Sequence, residues 1–188
     1  MIRPESESGL TLIELCVALT ILSIVTFAAT SYSLDFIKTK RGQHAIQSVY
    51  QLFKLARSEA ITSGSIVTIC PLDAANRCGN SWDLELSVFR DPDNSRSLTN
   101  DEITLKQIKA PSAGTLQPAP NNRRYFQFGP LGEAKGTLGN VTYCPPNPHE
   151  KHLIRQLIMN FAGRVRFAQD MDGDNIVDKS DGTTISCS

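Results

Sequence analysis

Residues 9–33 read GLTLIELCVALTILSIVTFAATSYS, and this stretch decides how the rest of the chain is interpreted. Its only charged residue is Glu14. A helix needs about 20 largely apolar residues to cross a bilayer, so the length and composition predict a transmembrane helix. A carboxylate inside a membrane costs about 2.5–3.5 kcal/mol or more, and the same stretch offers it no partner. We therefore expect Glu14 to have a partner outside this stretch.

The segment before this stretch, residues 1–9, reads MIRPESESG and fits poorly to an ordinary secretory signal peptide. It carries one Arg and two Glu, whereas a signal peptide begins with a basic segment. A plain membrane anchor is the other ordinary interpretation, but it leaves Glu14 unexplained. The chain could then be a simple anchored binding module that joins no filament.

The helical pattern continues beyond the apolar stretch. No Pro interrupts residues 10–62, and Ser63-Gly64 supplies a stop signal. The sequence therefore predicts one helix, apolar on all sides over 10–33 and amphipathic over 34–62, where it packs on its own globular domain. The apolar positions that recur at helical spacing in the second part are Ala45, Val49, Leu52, Phe53, Ala56 and Ala60.

Residues 63–188 have the alternation and turn residues of a β-rich domain, which together with the helix predicts an α+β fold. The stretch 111–122 is rich in Pro, Gly, Ala and Asn, and this composition predicts a loop. The predicted strands cover residues 65–70, 82–90, 103–108, 125–128, 141–144, 153–160 and 163–168.

Four of the five cysteines lie outside the apolar stretch, and Cys16 lies inside it. An even number suits two disulfides in an oxidising compartment. The short separation of Cys70 and Cys78 favours a local bond, which leaves Cys144 and Cys187 to hold the C-terminal tail. Four cysteines permit three pairings, and reduced buried thiols are a further alternative. The spacings do not fit a zinc site.

The residues Gly9-Leu10-Thr11-Leu12-Ile13-Glu14-Leu15 resemble the processing signal of type IV pilins and type II secretion pseudopilins. The resemblance implies that a prepilin peptidase removes residues 1–9 as a leader by cutting between Gly9 and Leu10. It also implies that the peptidase methylates the new amino group of Leu10. Glu14 would then pair with the N-terminal amine of a neighbouring subunit, which explains a carboxylate in an apolar helix.

Further motifs resemble the GspH/FimT branch of these proteins in their order along the chain. They are Leu55–Ile61, Val67–Pro71, Cys78, Trp82, Val88–Asp91, Phe128–Gly132, Cys144 and Gly163–Arg166. The resemblance implies a type IV pilin-like fold, in which a long N-terminal helix packs on an antiparallel β domain. It implies a minor pilin or pseudopilin whose partners are other pilins. The subunit would be anchored in the inner membrane by a single pass, with residues 63–188 in the periplasm.

Nothing in the sequence indicates an enzyme. The three histidines, His44, His149 and His152, do not stand at a metal-binding spacing, and the sequence has neither a phosphate-binding loop nor a nucleophile elbow. The formal net charge is zero, so nucleic-acid binding would require a local basic patch.

One local patch is predicted around Gly163-Arg164-Val165-Arg166. On a strand, Arg164 and Arg166 project from the same face, where Arg155 and Lys151 would extend a phosphate-binding surface. Some FimT-type minor pilins resemble this chain at a Gly-Arg-x-Arg motif that captures DNA during natural transformation. DNA uptake is therefore the alternative function. A solvated edge strand whose charges prevent aggregation would explain the same residues.

An acidic segment follows this motif and resembles a calcium-binding loop. Carboxylates stand at loop positions 1, 3, 5, 9 and 12, and Asn175 takes the place of the usual turn glycine. An acidic, solvated turn is the alternative, and we expect no other cofactor. The predicted Ca²⁺ ligands are Asp170, Asp172, Asp174, Asp178 and Asp181.

Overall fold

A computed structural model describes residues 9, 11–99, 104–120, 123–136 and 138–187, without the side chains of 28–34. Leader residues 1–8 and Leu10 lie outside the described residues. The chain divides into two compact units, residues 1–38 and 39–188, which we describe separately.

One helix, α1, covers Leu12–Ser63 and is followed by eight strands in the described part of the chain. The strands are β1 Val67–Pro71, β2 Leu86–Arg90, β3 Thr104–Ile108, β4 Thr115–Ala119, β5 Phe126–Phe128, β6 Gly139–Cys144, β7 Arg155–Met159 and β8 Val165–Phe167. They form two four-stranded sheets, ordered β3-β2-β1-β5 and β4-β6-β7-β8. Every pairing in both sheets is antiparallel, and a 3₁₀ helix, Lys151–Leu153, precedes β7. The predicted α+β fold is confirmed.

In the first unit, α1 begins directly after Thr11. The Thr11 carbonyl accepts a hydrogen bond from the Leu15 amide at 3.2 Å, and Thr11 Oγ1 accepts one from the Glu14 amide at 3.3 Å. The first of these is the first intrahelical bond, and the second caps the helix, because the Thr11 hydroxyl satisfies a first-turn amide that has no partner within the helix. None of the described helices has the length and apolarity that a transmembrane span requires.

In the second unit, α1 packs one face against both sheets. The six residues predicted for this face are all buried, and Ile46 joins them. The Phe53 ring lies 5.0 Å from that of Phe126 in β5, and the Tyr50 ring lies 5.0 Å from that of Phe167 in β8. Burying these large side chains supplies most of the force that holds the helix on the sheets.

The strand predicted over 82–90 is shorter in the structure. β2 begins at Leu86, because a turn at residues 80–84 interrupts the alternation, with Leu84 donating its amide to the Ser81 carbonyl at 3.0 Å. Leu84 is therefore exposed, whereas Trp82 is buried against Phe126. The side chains of β2 are buried on both faces of the sheet. On one of these faces, Phe89 packs under the loop that Cys70 and Cys78 close.

The loop predicted over 111–122 contains strand β4, so that prediction is wrong for Thr115–Ala119. This strand pairs with β6, with Pro118 opposite Val141. β4 lies at the edge of its sheet. An edge strand tolerates proline, because the missing N–H can face away from the ladder. The proline content that suggested a loop is thus compatible with pairing on one side.

A buried polar network lies between β1 and the turn after β2. Asp91 is fully buried, and its Oδ2 accepts hydrogen bonds from Thr68 Oγ1 at 2.6 Å and Gln127 Nε2 at 3.0 Å. Burial raises the pKa of the Asp91 carboxyl, although hydrogen bonds from Thr68 and from the Arg96 amide act in the opposite direction. The network satisfies a carboxylate that would otherwise be costly to bury.

The tail after β8 is held without further helices or strands in its described residues, 168–187. Val177 and Ile185 pack with Ile154 and Ala168 in a small cluster separate from the main core. A single β-bridge joins Asp178 to Thr184. The tail is thereby folded back on the start of β7.

Candidate functional site

In the first unit, the surface of α1 between Leu12 and Phe27 is almost entirely apolar. Ten large apolar side chains between Leu12 and Phe27 are exposed, by 82% at the first and 80% at the last. They occupy all sides of the helix, because they fill ten of the sixteen positions from Leu12 to Phe27. They are Leu12, Ile13, Leu15, Val17, Leu19, Ile21, Leu22, Ile24, Val25 and Phe27.

The hydroxyl groups of this segment are directed to the helix's own backbone. Thr20 donates to the Val17 carbonyl at 2.8 Å, and Ser23 donates to the Thr20 carbonyl at 2.8 Å. Thr26 donates to the Leu22 carbonyl at 2.9 Å. Hydroxyls bonded in this way need no partner from water, so they leave the helix surface suited to an apolar environment.

Glu14 is exposed in the first turn of α1, three residues after the capping Thr11. A carboxylate in the first turn interacts favourably with the helix dipole and stabilises the helix. Glu14 therefore has a local role besides any partner in another chain. The sequence motif Thr-x-x-Glu, which is typical of a capping box, could have revealed Thr11 as the cap. The predicted pairing of Glu14 with a neighbour's amine stays a prediction.

The two disulfides join the pairs that the sequence spacing favours. Cys70 and Cys78 have a Cα–Cα distance of 5.4 Å, and Cys144 and Cys187 have one of 5.8 Å. The first closes the loop under Phe89, and the second fixes the tail to the end of β6. Cys16 is exposed and, among the described residues, is the free cysteine.

A basic cleft of 400 Å³ lies between α1 and β8 in the second unit. Its cationic side chains come from two places: Lys54 and Arg57 from the helix, and Arg164 and Arg166 from the β7–β8 turn and β8. No acidic residue is among the described residues that line it. The other lining residues are Tyr50, Ile158, Asn160, Gly163 and Val165.

Arg57 fixes the base of the basic cleft. Its Nε donates to the Gly132 carbonyl at 2.8 Å, and its Nη2 donates to the Ala162 carbonyl at 3.3 Å. These bonds join α1 to two separate turns. Gly163, at φ +68°, lies so close to the Gly132 carbonyl that an added Cβ would overlap it. The predicted Arg164–Arg166 pair is therefore presented by a tightly constrained turn.

The other two predicted DNA contacts lie elsewhere. Arg155 lines a separate groove of 590 Å³, together with residues such as Gln43 and Phe167. Its Nη1 donates to the carbonyls of His152 and Ile154, both at 2.7 Å, and burial lowers the pKa of its guanidinium. Lys151 is exposed in the 3₁₀ helix and does not line the basic cleft. The predicted set of four is thus divided: Arg164 and Arg166 line the basic cleft, Arg155 lines the separate groove, and Lys151 lines neither.

The helix residues Lys54 and Arg57 were missed by the sequence interpretation. Their signal was available, since Tyr50, Lys54 and Arg57 recur at i, i+4 and i+7 on one face of α1. Nothing in the sequence, however, says which strand this face meets.

The acidic segment forms an ordered loop in which three of the five predicted ligands come together. Carboxylate oxygens of Asp170, Asp172 and Asp174 lie within 4.8 Å of one another. Asp178 is buried beside them, since its Oδ2 accepts the Met171 amide at 2.8 Å. Asp181 is engaged elsewhere, because its Oδ1 accepts both the amide and the hydroxyl of Thr183.

The acidic segment and the basic cleft are neighbours. Arg166 Nη2 approaches Ser180 Oγ at 3.4 Å, between the loop carboxylates and Asp181 in the sequence. Phosphate groups that approached Arg166 would therefore also meet the field of the tail acids.

Solved structures with a similar fold include minor pilins. The type IV minor pilin FimU of Pseudomonas aeruginosa superposes with a TM-score of 0.53 and 19% identity, covering 78% of this chain and 94% of that chain. A second crystal form of FimU gives 0.51 at 19% identity, covering 68% and 92%. The minor pseudopilin EpsH of the Vibrio cholerae type 2 secretion system gives 0.47 at 19% identity, covering 70% and 99%. No curated protein sequence matches the chain.

The family model described as type II transport protein GspH matches residues 45–163. This range contains α1 from Ala45 onward, strands β1 to β7, and the β7–β8 turn as far as Gly163. The match covers more than half of the chain, which is therefore a member of the GspH family and a structural subunit rather than an enzyme.

Proposed function

We propose that this chain is a minor pilin or pseudopilin that enters a type IV pilus or a type II secretion pseudopilus through the first part of α1. The observation that carries the proposal is the exposed apolar surface between Leu12 and Phe27. A contiguous apolar surface of this kind is costly in water and marks a site of association. Helices of neighbouring subunits would cover it in the filament.

Processing of the N-terminus fits the start of the helix. A cut between Gly9 and Leu10 would leave two residues before Leu12, where α1 begins. The new amine of Leu10, methylated by the prepilin peptidase, would then lie at the extreme end of the apolar surface. Removing the acidic leader would also remove charges that do not suit a helix bundle.

Glu14 would set the register between subunits. A carboxylate among apolar helices needs a cation, and the N-terminal amine of a neighbour is a suitable partner. Misregistered helices would leave both charges unpaired, so the pair would select one axial position.

We place the subunit in the inner membrane before assembly, with residues 63–188 in the periplasm. The support for this location is the pair of disulfides in the second unit, because disulfides persist in oxidising compartments. The family resemblance of the processing signal supports the same topology.

The decisive test combines mass spectrometry of the mature N-terminus with filament incorporation of Glu14→Gln. We expect a chain that starts at methylated Leu10, and a variant that is processed and membrane-associated but missing from sheared filaments. Ser23→Ala is the matched control, because it removes a hydroxyl bonded within the same helix. An intact leader in the working protein, or equal incorporation of Glu14→Gln and wild type, would overturn the proposal.

DNA uptake is the second candidate function, and the basic cleft is the observation that favours it. Four cations line one cavity, and Arg57 and Arg164 reach it from elements that lie far apart in the sequence. Guanidinium and ammonium groups spaced over such a cleft can contact successive phosphates. The acids of the neighbouring tail act against this binding.

Binding of double-stranded DNA by the full chain in detergent tests the second candidate. We expect Arg164→Ala with Arg166→Ala to abolish salt-sensitive binding while filaments stay intact. Lys106→Ala with Lys109→Ala is the control, because it removes two exposed positive charges elsewhere. Equal DNA binding by both double variants would reject the cleft as the DNA site.

A further inference from the structure

We propose that the acidic loop, residues 170–178, binds one Ca²⁺ ion through Asp170, Asp172, Asp174 and Asp178. The inference rests on side chains of the tail and is independent of how the first part of α1 is used. Its two supports are the convergence of three exposed carboxylates and a fourth carboxylate that is buried without a full set of partners.

The first three carboxylates are held in place by the backbone of the loop itself. Asp170 accepts the amides of Gly173 at 2.7 Å and Asn175 at 2.9 Å, one on each oxygen. Asp172 accepts the Asp174 amide at 3.1 Å. These bonds fix the side chains so that their oxygens converge within 4.8 Å. Oxygens that converge in this way on one turn are the ligands that Ca²⁺ prefers.

The second support comes from Asp178, which is only 2% exposed. Its Oδ2 accepts the amide of Met171, the residue between Asp170 and Asp172. Its Oδ1 is buried and has no hydrogen-bond partner in the described part of the chain. A buried carboxylate oxygen without a partner is rare in native proteins and points to an ion or an ordered water. A cation among the neighbouring carboxylates would satisfy it.

Ca²⁺ fits the loop better than Mg²⁺. Ca²⁺ accepts several protein oxygens in a flexible arrangement, whereas Mg²⁺ requires a strict octahedron and keeps most of its waters. Asn175 adopts φ +66°, the left-handed conformation that glycine supplies at the sixth position of known calcium loops. Asp178 forms a β-bridge with Thr184. Binding of the ion would connect Asp178 to the start of the loop, and would therefore hold the tail in place.

Calorimetric titration of CaCl₂ into the detergent-solubilised full chain tests the proposal, with MgCl₂ as the comparison. We expect one saturable site with a Kd of about 10⁻⁴–10⁻³ M, which is the range of extracellular calcium modules. Asp172→Asn and Asp178→Asn should each weaken binding by about tenfold or more, because each removes one charged ligand. Asp178→Asn retains an oxygen for the Met171 amide, so the fold should survive.

Asp83→Asn is the matched control, since it removes one exposed carboxylate outside the tail and should leave the titration unchanged. Circular dichroism spectra of all variants establish that each one is folded. No saturable heat with CaCl₂ up to about 5 mM, well above the expected Kd, would overturn the proposal. Equal Ca²⁺ affinity in wild type, Asp172→Asn and Asp178→Asn would overturn it too, and stronger binding of Mg²⁺ would reject the assignment to Ca²⁺.

Discussion

Gly163 is the residue on which the basic cleft depends most directly. Its backbone has φ +68°, which costs a residue with a side chain about 1–2 kcal/mol. It also lies against the Gly132 carbonyl, the same group that Arg57 holds. A side chain at this position would therefore disturb the turn, the helix contact and the placement of Arg164 together.

We expect Gly163→Ala to lower the free energy of unfolding by about 3–5 kcal/mol, because overpacking adds to the cost of the left-handed conformation. Gly136→Ala is a matched control, since Gly136 has the same φ of +68° and an added Cβ there meets nothing within 4 Å. The control should lose only about 1–2 kcal/mol. Urea unfolding of both variants measures the difference, and equal losses would show that the contact with Gly132 is unimportant.

Asp91 makes the stability depend on pH in an unusual direction. Its pKa in the folded protein is raised from 3.8, so the folded state binds the proton more tightly than the unfolded state. Its contribution to stability is complete below pH 3.8 and is lost as the pH rises through the raised pKa. Asp73 behaves oppositely, because hydrogen bonds from the amides of Arg77 and Ala75 lower its pKa, and its contribution is lost as the pH falls through that lowered value.

We expect the stability of wild type relative to Asp91→Asn to decrease as the pH rises from about 3.8, the pKa of an unperturbed aspartate. The comparison of wild type with Asp73→Asn should show the opposite slope. Thermal unfolding over a series of buffers measures both. Parallel profiles for wild type and Asp91→Asn would show that the buried network does not shift this carboxyl.

At the level of elements, an ion pair fixes α1 to β2. Glu59 lies on the helix and Arg90 ends the strand, and Arg90 Nε donates to Glu59 Oε1 at 2.6 Å while Nη2 lies 2.5 Å from the same oxygen. The Glu59 side chain is 17% exposed and that of Arg90 is 41% exposed, so the pair is partly shielded from water.

A double-mutant cycle with Glu59→Gln and Arg90→Met should give a coupling energy of about 1–2 kcal/mol. The exposed pair of Asp73 and Arg77 is the control, because both partners lie within one loop and are open to solvent. Its coupling should be much smaller. Urea unfolding supplies the four stabilities of each cycle, and equal couplings for the two pairs would contradict the expectation.

The sequence predicts those elements whose pattern is local. The helix and its buried positions are confirmed, because helical periodicity decides which side chains can share a face. The strand β4 was not predictable from composition, because its pairing with β6 depends on a partner about 25 residues away in the sequence. The turn at residues 80–84 was missed because its apolar residues continue the alternation of β2 by coincidence.

The basic cleft shows that prediction from local sequence pattern has the same limit for a candidate site. The Arg164–Arg166 pair follows from local spacing and lies in one cavity as expected. Arg155 could not be assigned correctly, because one sequence does not show how β7 lies against α1. Lys54 and Arg57 could not be joined to the pair for the same reason, although their helical spacing was visible.

In the second unit as a whole, the two disulfides have unequal effects on the unfolded chain. The cysteines of one bond are separated by 8 residues, and those of the other by 43. In the chain-entropy account, the longer loop loses more freedom when it is closed, by about 4 kcal/mol against about 2.5 kcal/mol for the shorter.

We therefore expect Cys144→Ser with Cys187→Ser to destabilise the protein more than Cys70→Ser with Cys78→Ser. Denaturant unfolding of the oxidised proteins measures the difference. The variant without Cys144 and Cys187 should also lose amide protection around Ile185 first, since that residue holds the tail in its small cluster. A larger loss for the Cys70–Cys78 variant would contradict the entropic argument.

The bond between Cys144 and Cys187 also orders events during synthesis. Its second cysteine follows β7, β8 and the acidic loop, so the bond cannot form until all of them have left the ribosome and reached an oxidising compartment. Cys70 and Cys78 can be joined much earlier, while later strands are still being made. An oxidoreductase that meets the emerging chain would thus find Cys144 unpaired until Cys187 arrives, although Cys70 and Cys78 can already be joined.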